Sequence, residues 1–163
     1  MMDALVAMLK STRLSTFMTT SPWAWPICET LHFIGLSMLV GIIGMLDARL
    51  LGFLRRVPIT ALRALLPWGI LGFVINLITG VLFFIGAPDQ YVNNPAWWFK
   101  VLFLAVAGAN ALLFETTQAA KLFTMGPHDE PPMTFRLMGA VSLFSWFMVL
   151  YWGRMLPFIG NAF

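Results

Sequence analysis

His32 is the residue with the clearest chemical potential, because it stands inside a long apolar stretch, seven residues after Trp25. In a helix with a rise of about 1.5 Å per residue, this spacing puts the imidazole roughly 10 Å beyond a tryptophan at the membrane interface. Glu29 and Gly35 stand three residues before and after it, so they share its helical face. An imidazole at this depth serves as an axial ligand to heme iron, as a hydrogen-bonding group between helices, or as a proton relay.

The first of these uses is ligation of heme b by His32. Gly35, one turn away, is expected to leave open space beside the ring for a flat macrocycle. Lys100 and Arg154 are expected in the same layer of the molecule, where cations suit the two propionates of a heme. Glu29 belongs to this candidate site as a partner for Lys100, if the first and third spans touch.

Each of these residues also has a purely structural interpretation. His32 then bonds to a neighbouring helix, and Gly35 serves close packing between helices. Lys100 and Arg154 then extend to lipid headgroups from the helix ends. The second histidine, His128, lies in a polar loop predicted at the opposite side of the membrane. A sixth ligand to iron is therefore a methionine, Lys100, a histidine of a second subunit, or none.

Several other chemistries are excluded by the sequence. It contains no glycine-rich phosphate loop, no serine nucleophile elbow and no zinc-protease HExxH motif. Cys28 is the only cysteine, which excludes an intrachain disulfide and a metal site built from a cysteine cluster. The net charge is +3, but the basic residues are scattered at helix ends instead of forming one stripe, so nucleic acid is not an expected partner.

The elements that position these residues are predicted to be membrane-spanning helices. The chain has 163 residues, of which 60% are hydrophobic and 10% charged, too little polar surface for a water-soluble domain of this size. Four apolar stretches approach the roughly 20 residues that a spanning helix needs, at about residues 23–48, 66–86, 96–122 and 134–158. We therefore predict an all-α integral membrane four-helix bundle, a single domain over 1–163. Residues Asp3–Phe17 are predicted to form a short interfacial helix, with a frayed tail as the alternative.

Two polar layers divide the predicted bundle. Besides the layer of His32, a second layer is expected near the opposite interface, where salt bridges orient helix ends: Asp47, Arg49, Glu115, Lys121 and Arg136. Basic residues number six on that side and four on the side of His32. The positive-inside rule then places both termini outside the cytoplasm, in what we expect to be a bacterial inner membrane.

Several stretches resemble an uncharacterised family of short bacterial four-helix membrane proteins, and the resemblance covers nearly the whole chain. They are Glu29–His32 through Gly41 to Asp47–Gly52, Leu66–Trp68 to Thr79–Gly80, and Asn94–Pro95 through Lys100 to Asn110–Leu112. Many members of that family carry histidine where this chain has Glu115, so the resemblance does not support a two-histidine heme across the first and third spans.

The chain has a more remote similarity to the HemJ-type protoporphyrinogen oxidases and to the CopD copper-resistance membrane domain. The similarity rests on a histidine early in the first span and a lysine at the start of the third. This resemblance implies that His32 ligates heme or handles a porphyrin, and it matches Lys100 to the lysine of those proteins.

The sequence thus predicts a heme b-binding membrane protein for electron transfer or redox sensing. The alternatives are a cofactor-free accessory or structural subunit of a membrane complex and a HemJ-like porphyrin oxidase. The expected partner is the lipid bilayer. A homo-oligomer or a larger membrane complex is also expected, because so small a bundle leaves long glycine-bearing faces to cover.

Overall fold

The computed structural model describes residues 2–124, 126 and 129–159, and this part of the chain contains helices and no strand. The helices are α1 (Met2–Lys10), α2 (Arg13–Thr20), α3 (Ala24–Leu51), α4 (Ile59–Ala64), α5 (Leu66–Gly86), α6 (Pro88–Val92), α7 (Pro95–Thr117), α8 (Ala119–Leu122) and α9 (Met133–Met155). His128 lies outside the described residues. Its predicted place, in a loop on the side opposite His32, therefore stays a prediction.

Four helical stretches are long and apolar enough to cross a membrane: Ala24–Leu51, Ile59–Gly86, Pro95–Thr117 and Met133–Met155. Most of their side chains face outward, and the outward-facing ones are largely Leu, Ile, Val, Phe and Trp. Such a surface is stable against lipid and unfavourable against water. The predicted all-α membrane bundle is confirmed, and the chain is an integral membrane protein by the length and composition of its helices.

Helix α3 is the centre of the bundle, because it packs against α5 on one side and against α9 on the other, while α7 packs mainly against α9. Glycines permit both close approaches of α3. At Gly35 it meets Gly72 of α5, and at Leu50 it meets Gly139 of α9, where an added Cβ would lie 3.0 Å from the Leu50 Cβ. Small residues at such crossings allow backbone contact between membrane helices.

The N-terminal region forms two short helices rather than one. The break falls at Ser11 and Thr12, where the Thr12 side chain accepts a hydrogen bond from the N–H of Ser15 and caps α2. Helix α2 packs against α5 with Met18 buried beside Gly86 and Trp25. This N-terminal pair of helices therefore lies at the end of the bundle that holds the start of α3.

Helix α7 ends at Thr117, five residues before the predicted end of the third span, and the short helix α8 follows. The hydroxyl groups of Thr116 and Thr117 donate to the carbonyls of Leu112 and Leu113, at 2.8 and 2.7 Å. Threonines bonded back in this way tend to bend or end a helix. The hydropathy pattern does not reveal the end of α7 at Thr117, because the following helix α8 is itself partly apolar.

Ion pairs occupy the end of the bundle opposite His32, where the second polar layer was predicted. Of that predicted layer, Glu115 and Arg136 form ion pairs, whereas Asp47, Arg49 and Lys121 form none with a described residue. Arg63 holds Glu115 through two hydrogen bonds of 2.8 and 3.4 Å. Glu130 accepts from Arg55 at 3.1 Å and from Arg136 at 3.2 Å. These pairs tie α4 to α7, and the loop after α3 to the start of α9.

Candidate functional site

His32 is half-buried on α3, and its ring forms a hydrogen bond with α5. The distance from Nδ1 to Oγ1 of Thr79 is 2.7 Å. The Thr79 hydroxyl already donates its single proton to the carbonyl of Ile75, also at 2.7 Å. The hydroxyl oxygen therefore accepts, and Nδ1 of His32 carries the hydrogen. In the neutral ring this arrangement leaves Nε2 with a free lone pair.

Nε2 of His32 is available to a ligand. It forms no hydrogen bond within the described part of the chain and is not among its fully buried, unpartnered polar atoms. Gly80 of α5 lies beside the ring, where an added Cβ would be 4.0 Å from Cε1 of His32 and near no other described atom. A ligand approaching Nε2 therefore meets no side chain at position 80.

Aromatic and sulfur groups complete the surroundings of the ring. Phe83, on the same helix as Thr79, presents its ring edgewise at 5.6 Å between centroids. The buried thiol of Cys28 lies 3.6 Å from the carbonyl of Thr79 and donates to it. The histidine is thus fixed by α5 on one side, and the site is built from α3 and α5 together.

The open space expected beside Gly35 is filled by α5. A Cβ at Gly35 would lie 2.6 Å from Nδ2 of Asn76 and 2.8 Å from the carbonyl oxygen of Gly72. The glycine on the histidine face therefore serves helix packing, and the open glycine next to the ring is Gly80. The spacing along one helix identified a small residue, but it could not identify which neighbouring helix covers that residue.

Glu29 and Lys100 do not form an ion pair, because α3 and α7 are not packed side by side. Glu29 is exposed. Lys100 extends from α7 towards α9, with Nζ 3.7 Å from the position of a Cβ at Gly153 and 6.0 Å from the centre of the Trp97 ring. The structure therefore turns Lys100 towards α9 and leaves Glu29 exposed.

Arg154 is exposed on α9, next to the glycine that contacts Lys100. Its guanidinium carbon lies 5.0 Å from the centre of the Phe158 ring, a cation–π contact. It forms no ion pair with any described residue. Arg154 and Lys100 therefore provide two positive charges without acidic partners at the same end of the bundle as His32.

The functional residue that the sequence did not identify is Thr79, the hydrogen-bond partner of His32. A signal for Thr79 was present, since Asn76 and Thr79 are spaced three residues apart in an otherwise apolar helix. Their common face points to a polar partner on another helix.

Within the described ranges, no three side chains of His, Cys, Asp or Glu gather into a group that could hold a bare metal ion. Comparison with protein-family models, curated proteins and solved structures finds no match. The resemblance to the short four-helix membrane proteins stays a prediction. The remoter resemblance to the HemJ-type oxidases stays a prediction as well.

Proposed function

We propose that this chain binds one heme b through Nε2 of His32 and takes part in electron transfer or redox sensing in the membrane. The observation that supports the proposal is the hydrogen bond from Nδ1 of His32 to Thr79. Histidines that ligate metals commonly donate the other ring hydrogen to an oxygen acceptor, which fixes the tautomer and the ring orientation. His32 is held in this state, with its second nitrogen unpartnered.

The surrounding residues fit a porphyrin. A porphyrin brings four nitrogen ligands of its own, so His32 alone would be sufficient to hold a heme. Gly80 keeps the approach to Nε2 free of side-chain atoms, and Phe83 supplies an apolar surface beside the ring. Lys100 and Arg154 are the residues that would meet the propionates. The bound heme supplies one-electron redox chemistry, and the protein supplies ligation, orientation and a lipid-like environment.

The proposal includes the setting of the protein. By the six-to-four distribution of basic residues, His32 lies towards the non-cytoplasmic face of a bacterial inner membrane, with both termini on that side. A homo-oligomer or a larger membrane complex is part of the proposal as well. Gly108 of α7 faces no atom of another element within 4 Å, which leaves room for a helix of a second chain.

The visible spectrum tests the heme assignment. The protein is produced in heme-sufficient cells, purified in a mild detergent and examined for a Soret band and a pyridine hemochrome of the b type. His32→Ala is expected to abolish the band, whereas His128→Ala, at the only other histidine, is expected to leave it unchanged. In His32→Gly, added imidazole is expected to restore the band by occupying the vacated position.

Two outcomes would reject the proposal. The first is a wild-type protein that purifies from heme-sufficient cells without a Soret band and takes up no added heme. The second is a His32→Ala variant that retains the full band. In the first case the chain is better explained as an accessory subunit of a membrane complex.

A further inference from the structure

The loop between α3 and α4 surrounds an open cavity of about 520 Å³, lined by Gly52, Phe53, Leu54, Arg55, Arg56 and Val57. The loop begins at Gly52, which ends α3 in a left-handed conformation with a φ of 95°. The N–H of Gly52 then bonds the carbonyls of Ala48 and Arg49. The cavity lies at the end of the bundle opposite His32, so it is independent of the proposed heme site.

Three consecutive backbone N–H groups in the cavity lining have no acceptor among the described residues. The N–H of Phe53 bonds the carbonyl of Ala48 at 2.9 Å, and the N–H of Val57 bonds that of Leu54 at 3.0 Å. Between them, the N–H groups of Leu54, Arg55 and Arg56 have no hydrogen-bond partner in the part of the chain that the structure describes. Successive free N–H groups in a turn carry partial positive charge and bind anions.

Two arginine side chains in the cavity lining add full positive charges. Arg55 is held in place, because Nε donates to the carbonyl of Gly52 at 2.9 Å and Nη1 to Glu130 at 3.1 Å. Glu130 also pairs with Arg136, so one carboxylate is shared by two guanidinium groups. Arg56 is exposed and forms no ion pair with a described residue. The cavity lining therefore carries excess positive charge.

A third arginine lies behind the wall of the cavity. Arg49 is 1% exposed, and its Nε donates to the carbonyl of Val57, a lining residue, at 3.3 Å. Its Nη1 is buried without a partner, and no described carboxylate lies within ion-pair distance. A buried charge is poorly screened, so its field reaches the cavity more strongly than that of a surface arginine.

The position of the loop identifies the source of the anion. Phe53, in the lining, is 80% exposed, and Trp68, near the start of α5, is 58% exposed. Exposed aromatic side chains at the ends of spanning helices lie at the headgroup level of a bilayer. Lipid phosphates are concentrated at that level.

We propose that the cavity at residues 52–57 binds the phosphate group of an anionic phospholipid. The free N–H groups and Arg56 bind the phosphate oxygens, and Arg49 and Arg55 supply the surrounding positive potential. Phe53 and Trp68 lie against the glycerol and acyl region of the same membrane leaflet. The residues that line the cavity are exposed or half-exposed, so a lipid reaches it without any opening of the bundle.

Native mass spectrometry of the full chain in neutral detergent tests this site, by titration with phosphatidylglycerol and, separately, with phosphatidylcholine. The wild type is expected to bind phosphatidylglycerol more tightly. Arg56→Gln is expected to weaken that binding about fivefold, the effect of one arginine near an anionic membrane surface. Lys121→Gln is the matched control, since it removes one positive charge at the same end of the bundle but outside the cavity.

Three results would overturn the proposal. Equal binding of the two lipids would remove the anionic preference. An equal effect of Arg56→Gln and Lys121→Gln would show that the attraction comes from overall charge and not from this cavity. Displacement of phosphatidylglycerol by an equal concentration of inorganic phosphate would assign the cavity to a soluble anion instead of a lipid. None of these results depends on whether heme binds at His32.

Discussion

Nδ1 of His32 lies 2.7 Å from Oγ1 of Thr79, a hydrogen bond that joins α3 to α5 across 47 residues of sequence. Because the hydroxyl proton of Thr79 is committed to the carbonyl of Ile75, the direction of the bond is determined by the helix itself. A threonine bonded back to its own helix thus selects the tautomer of a histidine on the neighbouring helix. The consequence is a ring with one nitrogen anchored and the other available.

Replacing Thr79 with valine keeps the shape of the side chain but removes the acceptor of His32. The Nδ1 hydrogen is then unpaired, which costs about 1–3 kcal/mol in a buried setting, and the tautomer with a free Nε2 is no longer selected. We expect Thr79→Val to weaken heme binding about 10- to 100-fold, as loss of such a supporting bond does at other metal sites. Titration of the heme-free protein with heme, followed at the Soret band, measures this change.

Thr30→Val is the control for that experiment. Thr30 is exposed on α3 and its hydroxyl bonds back to the carbonyl of Pro26 at 2.8 Å, so the substitution removes the same kind of local bond away from His32. It is expected to leave heme affinity within a factor of two of the wild type. Equal affinities of Thr79→Val and the wild type would show that the hydrogen bond to Thr79 does not support ligation.

The architecture could be predicted from the sequence because a bilayer imposes a simple length requirement. A stretch of about 20 apolar residues has few alternatives to a spanning helix, since its backbone groups find no water to bond. The helix ends were less predictable. The break after Thr117 depends on hydroxyl groups that bond back to α7, a local effect that hydropathy does not measure.

The candidate site could be predicted only in part, because helical spacing gives the face of a residue but not the helix that covers it. The depth of His32 and its need for a partner followed from its position in the first span. Its partner Thr79, the packing of Gly72 onto Gly35, and the separation of Glu29 from Lys100 all depend on how the helices are arranged around α3. Many arrangements of four apolar helices satisfy the same hydropathy pattern.

Gly35→Ala is expected to destabilise the protein by about 1–3 kcal/mol, the usual cost of overpacking. The added methyl group would lie 2.8 Å from the carbonyl oxygen of Gly72 and 2.6 Å from Nδ2 of Asn76, so α3 and α5 would have to separate. Gly41→Ala is the matched control on the same helix, where no atom of another element lies within 4 Å. Thermal unfolding in detergent compares the two, and equal losses would contradict the close crossing at Gly35.

Arg63 and Glu115 are expected to be energetically coupled. Arg63 retains only 16% of its side-chain exposure and forms two bonds with the carboxylate, so the pair is more favourable than an ordinary surface ion pair. A double-mutant cycle of Arg63→Gln and Glu115→Gln should give a coupling free energy of about 0.5–1 kcal/mol.

Glu29→Gln and Lys100→Gln form the comparison cycle, because these residues share the other end of the bundle without contact. Their effects on the free energy of unfolding are expected to be additive within about 0.5 kcal/mol. Strong coupling in this cycle would place α3 beside α7, contrary to the observed packing.

Single cysteines at Gln90 and Lys121 test the proposed orientation. Both positions are exposed and are separated by one span, α7, while the native Cys28 is buried and stays in place. On intact cells, a membrane-impermeant maleimide is expected to label Gln90→Cys directly and Lys121→Cys only after permeabilisation. Labelling of both from one side would contradict a spanning α7, and the reverse pattern would contradict the placement of the termini outside the cytoplasm.

The contact between the N-terminal helix and α6 is expected to weaken in acid. Nζ of Lys10 lies 2.9 Å from a carboxylate oxygen of Asp89, and this hydrogen bond holds the pKa of Asp89 below its usual value near 4. A carboxylate with a lowered pKa in the folded state contributes stability above its unfolded pKa and loses it as the pH falls through the folded value. The contribution is therefore constant above about pH 5 and declines below about pH 4, as the pH approaches the lowered pKa of the folded state.

Hydrogen exchange of the amides of α1 measures this contribution. The protection factor of the wild type is divided by that of Asp89→Asn at each pH, and this protection ratio cancels the intrinsic pH dependence of exchange. The two side chains are 50% and 49% exposed, so the gain is that of a surface pair and the protection ratio at pH 6 should not exceed about fivefold. As the pH falls through the folded pKa of Asp89, the carboxyl group takes up a proton and the protection ratio should fall towards one. Lys10→Gln should reproduce the behaviour of Asp89→Asn, because either substitution removes the same bond. A ratio that stays constant from pH 6 to pH 3 would show that α1 is held on α6 by apolar contacts and not by this ion pair.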